Sequence, residues 1–224
     1  MRTSWNPGLF AAFEVFFRPY MKSRLSGIYI RGRDNIPKDK VVLILSNHTS
    51  WWDGFLLREV HRMFDQDLPY WSIAFQKLVD KYPFLAKIGV KGFDASSLSS
   101  MRELASFVVE HSQVTGSWFV LYPQGEIWPA TRRPLGFQRG AVWMSSLLPS
   151  AATIPVGIHI ESLNNQKPSA FISIGAPCAT NDETSVRSLE QAVEHELSYI
   201  QNMLNAYGER TFEAWKEKHE EIWN

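Results

Sequence analysis

The chain has 224 residues, 23 basic against 23 acidic side chains, and a single cysteine. That length builds one sizeable domain with a proper core, or one domain with a small appendage. Balanced charge excludes a nucleic-acid binder that relies on a positive field, and one cysteine excludes an intramolecular disulfide and fits a reducing compartment.

Residues 9–21 repeat Phe10, Phe13, Phe16, Phe17 and Tyr20 at helical spacing, interrupted by Glu14 and Arg18, with Pro19 near the end. Such a stripe either packs onto the domain or lies in a headgroup region. Arg2, Trp5, Arg18, Lys22 and Arg24 suit the second reading, because Trp and basic residues favour interfaces. We therefore expect residues 1–25 to form an amphipathic, membrane-associated helical segment, with Phe10, Phe13 and Phe17 facing the lipid. No apolar run followed by a small-residue cleavage site marks a secretory signal. No span qualifies as a transmembrane helix: residues 140–160 lack Asp, Glu, Lys and Arg, but Pro149 and Pro155 break the stretch.

Beyond residue 25 the pattern predicts strands over 27–31 and 41–46, a helix over 50–64 and a short strand over 70–73. Helices over 75–88 and 98–111, a strand over 118–122 and a helix over 137–148 follow, then strands over 153–160 and 170–175. This alternation predicts an α/β fold with a mostly parallel central sheet covered by helices. Residues 181–184 offer capping chemistry before a helix carrying Val186, Leu189, Val193, Leu197, Ile200 and Leu204 on one stripe, ended by Gly208. Phe212, Trp215, His219 and Ile222 then predict a short terminal helix. The expected organisation is the segment 1–25, a catalytic domain over 26–180, and carboxy-terminal helices over 181–224 packed on it.

The densest chemistry lies in Asn47-His48-Thr49-Ser50-Trp51-Trp52-Asp53, directly after the apolar run 41–46. A buried strand delivers an imidazole to its carboxyl end, and a carboxylate follows five residues later across a turn. A carboxylate on one ring nitrogen fixes the tautomer and stabilises the imidazolium, leaving the other nitrogen to take a proton. No serine or cysteine nucleophile motif accompanies the pair. The base then activates a hydroxyl or amine that the substrate supplies. His and Asp are also metal ligands, but no second His stands at close ligand spacing and Cys178 forms no cluster. Asn47-His48-Thr49 matches a glycosylation pattern with nothing else to suggest secretion.

These residues, with what surrounds them, resemble the glycerolipid acyltransferase superfamily from Ser26 to about Pro177. The run 47–53 matches that family's NHxSxxD block. Upstream, Ile30-Arg31-Gly32-Arg33-Asp34-Asn35-Ile36-Pro37 is similar to its strand-Gly-x-x-Asn-x-Pro lead-in. Lys77-Leu78, Pro83-Phe84, Gly89 and Phe93-Asp94 occupy the place of the second block. Tyr122-Pro123-Gln124-Gly125-Glu126 resembles the third, usually Phe-Pro-Glu-Gly-Thr-Arg. Phe137-Gln138-Arg139-Gly140-Ala141 and Ile154-Pro155-Val156 follow in the family's order.

The resemblance implies an acyltransferase in which His48 is the general base and Asp53 orients it. The donor it implies is acyl-CoA or acyl-carrier protein, the acceptor a lipid, and the location the cytoplasmic face of a membrane, peripherally bound, with no metal or cofactor and no nucleic acid. Gln124, Gly125 and Glu126 become candidate acceptor contacts. The departures bear on the acceptor. Ala95 and Ile127 stand where lysophosphatidate enzymes carry arginines that grip a phosphate through bidentate, charge-assisted bonds. Lys91, Arg132, Arg133 and Arg139 are the candidate replacements for phosphate or donor contacts, with Lys87 beside them. The expected acceptor is a non-phosphate lipid, glycolipid or carotenoid acylation being examples. Other readings of the same residues are a lysophosphatidate acyltransferase with relocated clamps, a thioester or lipid hydrolase activating water, and a non-catalytic lipid-binding module.

Overall fold

Every side chain of the strand Val42–Ser46 is buried, as a strand covered on both faces requires. Its alternation sorts the core. Val42 and Ile44 point into one hydrophobic cluster, Leu43 and Leu45 into a second on the opposite face. The computed structural model describes residues 6–64, 67–181 and 183–223, so Arg2 and Trp5 of the expected interfacial segment lie outside the described residues.

The strands are β1 (Gly27–Arg31), β2 (Val42–Ser46), β3 (Tyr70–Phe75), β4 (Val90–Phe93), β5 (Trp118–Leu121), β6 (Ala152–Glu161), β7 (Ser169–Ile174) and β8 (Glu220–Trp223). They form one sheet in the order β4-β3-β5-β2-β6-β7-β1-β8. Strands β4, β3, β5, β2 and β6 run parallel, as do β7 and β1, while the β6–β7 and β1–β8 pairs are antiparallel. The fold is α/β with a mostly parallel sheet between helices. The helices are α1 (Pro7–Arg24), α2 (Asp53–His61), α3 (Gln76–Lys81), α4 (Leu98–His111), α5 (Gly140–Leu147), α6 (Val186–Tyr207) and α7 (Thr211–Lys218).

Helices α1 and α2 cover the Val42/Ile44 face with Met21, Leu25, Leu56, Leu57 and Val60. Helices α4, α5 and α6 cover the other, α6 burying Leu189, Val193 and Leu197, each worth about 1.5–3 kcal/mol of apolar transfer. Ser185 caps α6, its hydroxyl accepting from the Ser188 N–H at 3.0 Å while Ser188 returns the bond to the Ser185 N–H at 3.1 Å. Close seating of α6 on β6 depends on Gly157. A Cβ there would stand 2.8 Å from the Leu197 backbone nitrogen and 2.9 Å from the Glu196 carbonyl carbon. Main chain cannot step aside as a side-chain tip can. Gly157→Ala is expected to destabilise the protein by about 1–3 kcal/mol, read as a lowered urea midpoint. An unchanged midpoint would show that α6 can ride outward without loss.

Tertiary pairing overrode the local pattern in three places. The expected helix over 75–88 divides at Tyr82–Pro83 into α3 and a 3₁₀ segment, Pro83–Ile88, because proline cannot continue the α-helical hydrogen bonding. Residues 90–93, read as loop, form β4 against β3. Residues 220–223, read as the end of a terminal helix, become edge strand β8 paired with β1. Trp215 and Trp223 are both buried, the first on α7 and the second on β8.

The amino-terminal stripe is turned the other way from the expectation. Phe10 is buried, Phe13 and Phe17 are half-buried, and Phe13 packs on Phe17, Phe55 and Phe84. Glu14 and Arg18, which seemed to interrupt the stripe, hold α1 to α2. Glu14 pairs with Arg58 at 3.2 Å and Arg62 at 2.6 Å, and Arg18 pairs with Glu59 at 2.9 Å. The large apolar side chains left on the outside of α1 are Leu9, Val15, Phe16 and Tyr20. Among the described residues no helix is long and apolar enough to cross a membrane.

Candidate active site

Strand β2 ends at Ser46, and the chain turns over its carboxyl edge into α2, the side on which open α/β sheets place their ligands. Asn47 makes that turn rigid. Its side-chain amide donates to the Ile158 carbonyl at 2.9 Å and accepts from the Ile158 N–H at 2.8 Å, a pair of hydrogen bonds to the neighbouring strand. His48 follows. Its Nδ1 lies 2.7 Å from Asp53 Oδ2, and Asp53, the first residue of α2, is wholly buried.

The carboxylate is fully engaged. Oδ2 also accepts from the Thr49 N–H at 2.6 Å and the Ser50 N–H at 2.9 Å, and Oδ1 accepts from the Ser50 hydroxyl at 2.7 Å. Such a carboxylate only accepts, so the proton of neutral His48 sits on Nδ1 and Nε2 presents a lone pair. A quarter of the imidazole side chain stays accessible. The arrangement can take a proton from an approaching hydroxyl or amine and stabilise the cation that results.

His48 opens on a cavity of about 440 Å³ that runs along β3. Phe10, Phe55, Ile73, Leu85, Ile88 and Phe93 give it apolar walls, with Gly125, Glu126 and Ile127 at the mouth beside His48. Tyr122 lies under the imidazole, ring centroids 4.5 Å apart and planes 24° from parallel. Burial pushes its phenol pKa well up, and its hydroxyl finds no hydrogen-bond partner among the described residues. The ring therefore acts as a neutral platform that fixes the plane of His48. Gly125 has φ 72°, the left-handed region that the turn after β5 requires and that glycine adopts without strain. Its N–H is spent on the Tyr122 carbonyl at 3.0 Å, so it is not a spare donor for a reaction intermediate.

Gln124 does not line the cavity. It is buried, its Oε1 accepts from the His48 N–H at 2.7 Å, and its Nε2 donates to the Leu135 carbonyl at 3.0 Å. Lys91, Arg132, Arg133 and Arg139 do not line it either. Lys91 lies over the Phe107 ring of α4, and Arg132 stacks on Trp128 with its guanidinium 3.6 Å from the ring centroid. Arg133 bonds the Ala130 and Arg132 carbonyls, and Arg139 is exposed at the start of α5. The basic residues on the wall are Lys77, exposed at the mouth, and Arg58, buried and paired with Glu14. Among the described residues no three His, Cys, Asp or Glu side chains gather as a metal site.

Sequence reasoning missed Asn47, Thr49, Tyr122 and Lys77 as parts of this constellation. All four stood inside recognised blocks without a role assigned to them. The Thr49 N–H and the Tyr122 stack carry no sequence signal, since a backbone donor and a ring-on-ring contact exist only once the chain is folded.

The sequence model of the family described as Acyltransferase matches residues 27–159, more than half of the chain. The protein is an acyltransferase of this family. The matched span begins with β1 and ends within β6, so it includes the whole His48–Asp53 turn and the Tyr122–Glu126 loop. Among solved structures, the fold of this acyltransferase is similar to one titled 1-acyl-sn-glycerophosphate (LPA) acyltransferase, PlsC, from Thermotoga maritima. The TM-score is 0.58 at 16% identity, covering 86% of this chain and 80% of that one. No curated protein matches the acyltransferase chain.

Buried beneath the site, His61 sits against Arg58 with its Nδ1 accepting from the guanidinium. Burial, with Arg58 second, lowers its pKa from 6.5 to about 3. The unfolded chain therefore binds a proton between those values that the folded chain does not, and stability is lost as pH falls from 6.5 toward 3. Urea midpoints at pH 7 and pH 5 should show that loss, and His61→Gln, which keeps an acceptor for Arg58, should reduce it. An identical slope in the variant would assign the acid sensitivity to other groups.

Proposed function

We propose that the protein transfers a fatty acyl group from the thioester of acyl-CoA or acyl-carrier protein to a hydroxyl or amine of a lipid-like acceptor other than lysophosphatidate. The observation that carries the reading is the His48–Asp53 pair, its free imidazole edge opening on an apolar cavity. In the proposed mechanism neutral His48 removes the acceptor's proton as its oxygen or nitrogen attacks the thioester carbonyl. Asp53 stabilises the imidazolium, which then protonates the departing thiolate. The apolar cavity holds the acyl chain. Gly125 and Glu126 are the proposed acceptor contacts, since they edge the cavity beside His48. The Asn47 and Gln124 bonds support the reading by holding the base in one place.

The direct test supplies purified protein with a long-chain acyl-CoA and a panel of lipid acceptors, and follows both free thiol and acylated product. Thiol release that needs an acceptor supports transfer. Equal release in its absence would make the protein a thioester hydrolase, and no release with any donor or acceptor would favour a binding module.

We also propose peripheral association with the cytoplasmic face of a membrane, through the outer side of α1 and the rim of the cavity. Phe16 and Val15 are 81% and 68% exposed, and Trp51, at 47%, stands at the cavity wall. Single exposed apolar residues are ordinary, but Trp51 lines the cavity and packs on Phe17 of the same helix that carries Val15 and Phe16. Phe16→Glu with Val15→Ser is expected to reduce flotation with anionic liposomes several-fold while the melting temperature holds. Phe13→Ser should instead lower the melting temperature, because that ring packs on Phe17 and Phe55. Flotation indifferent to Phe16 and Val15 would remove α1 from the proposed contact.

A further inference from the structure

Gln124 stands where the family usually has glutamate, and its neutral amide does what a carboxylate cannot. One end accepts from the His48 N–H at 2.7 Å and the other donates to the Leu135 carbonyl at 3.0 Å. The side chain is 5% exposed, so both bonds are shielded from water. A carboxylate in its place would keep the first bond. It would also set an oxygen lone pair against the Leu135 carbonyl oxygen and bring a second negative charge near an imidazole that already has Asp53. We infer that Gln124 is a positioning residue for the catalytic base, holding the His48 main chain to the β5 loop without adding a buried charge to those already around the ring, namely Asp53 on Nδ1 and Glu126, Lys77 and Arg58 on the cavity wall. The inference rests on the proposed role of His48.

Three residues tie His48 and its turn to the sheet, and Gln124 is the one that can be altered through its side chain without touching the 47–53 motif. The His48 carbonyl accepts from the Trp128 N–H at 2.8 Å, and Asn47 is bonded to Ile158 on β6. The Asn47 bonds tie the turn to one neighbouring strand, whereas Gln124 and Trp128 tie it to the segment that follows β5. That segment carries Gly125, Glu126 and Ile127, the cavity mouth. Gln124 therefore sets the distance between the base and the surface across which an acceptor is presented. Buried amides bonded at both ends are costly to disturb, because each lost partner leaves a polar group without water.

Two variants separate positioning from plain stability. Gln124→Met removes both bonds at similar volume and adds no charge. Gln124→Glu keeps the bond to His48, loses the donor to Leu135 and adds charge. Kinetics on purified, folded enzyme, scaled to the folded fraction, should show kcat reduced roughly ten- to hundredfold in Gln124→Met, with KM for the acyl donor within a factor of about three, since small displacements of a reacting group have effects of that size. In Gln124→Glu the acidic limb of the pH–rate profile should move to higher pH, because an added carboxylate favours the imidazolium. The limb should stay in place in Gln124→Met. A merely structural role would lower the melting temperature of both variants and leave kcat per folded molecule and the acidic limb where they are. That result would overturn the inference, as would an unmoved limb in Gln124→Glu. The wild type and His48→Ala are run beside them. Wild-type turnover lost in His48→Ala but kept in both Gln124 variants refutes this inference alone. A wild type that consumes no thioester refutes the proposed function and this inference with it.

Discussion

Replacing His48 with alanine is expected to lower acyl transfer by roughly 100- to 10,000-fold, the range that a positioned general base supplies. The loss should fall on kcat, because the apolar cavity that holds the donor is built from other elements. The protein should stay folded, since His48 contributes its main chain to the Gln124 and Trp128 bonds and those survive the substitution. Asp53→Asn makes a sharper test. The amide oxygen can still accept from the His48 Nδ1–H and the Thr49 and Ser50 N–H groups, while its NH₂ can donate to the Ser50 hydroxyl. Geometry is then retained and the negative charge that stabilises the imidazolium is gone. A folded Asp53→Asn enzyme, verified by circular dichroism, should therefore lose most of its turnover. Near-normal rates in folded His48→Ala would sink the mechanism, and near-normal rates in Asp53→Asn would reduce Asp53 to a structural cap of α2.

In side-by-side kinetics with one acyl donor, a non-phosphate acceptor such as a glycosylated, hydroxylated or amino-acid lipid is expected to outperform lysophosphatidate. The two arginine positions of the lysophosphatidate pattern are Ala95 and Ile127 here, and neither side chain can donate a charged hydrogen bond. Ile127 is on the cavity wall itself, so an apolar group occupies the place of a clamp. The candidate substitutes lie elsewhere: Lys91 lies over the Phe107 ring of α4, and Arg132 is stacked on Trp128. A charge-assisted hydrogen bond in a desolvated site is worth about 1.5–3 kcal/mol, so two missing clamps amount to roughly a hundredfold or more in selectivity. Lys77 offers one cation at the mouth, exposed to water and screened accordingly. A clear preference for lysophosphatidate would refute the proposal and single out Lys77, whose replacement by Met should then abolish that preference.

Much of the fold was legible because the chain states it locally. The run 41–46 is apolar on both of its faces and bounded by polar turns, which leaves little choice but a central strand. The helix read over Leu98–His111 has those bounds, and the structure adds the Ser97 cap, whose hydroxyl accepts from the Ser100 N–H. The His48–Asp53 spacing was enough to pair the two side chains, because a strand end, a tight turn and a helix start bring residues five apart within reach. The stripe of Phe10, Phe13 and Phe17 was legible as a stripe but not as to its side. An apolar helix face looks the same whether it meets lipid or Phe55 and Phe84. Glu14 and Arg18 read as breaks in that face because their partners, Arg58, Arg62 and Glu59, are more than forty residues away in sequence.

Sequence by itself determined what each segment can do: the alternation that makes a parallel sheet, the cap and breaker residues that bound the helices, and an imidazole with its carboxylate at the end of a strand. These are properties of neighbours along the chain, governed by periodicity and turn geometry. Only the tertiary structure decided which polar groups face the cavity and which are spent on holding it. Gln124 and Glu126 stand two apart in one motif, yet one is buried between two backbone partners and the other edges the cavity mouth. The physical reason is that a hydrogen bond to a carbonyl or N–H from another strand depends on where that strand lies, and strand order is set by the packing of the whole core.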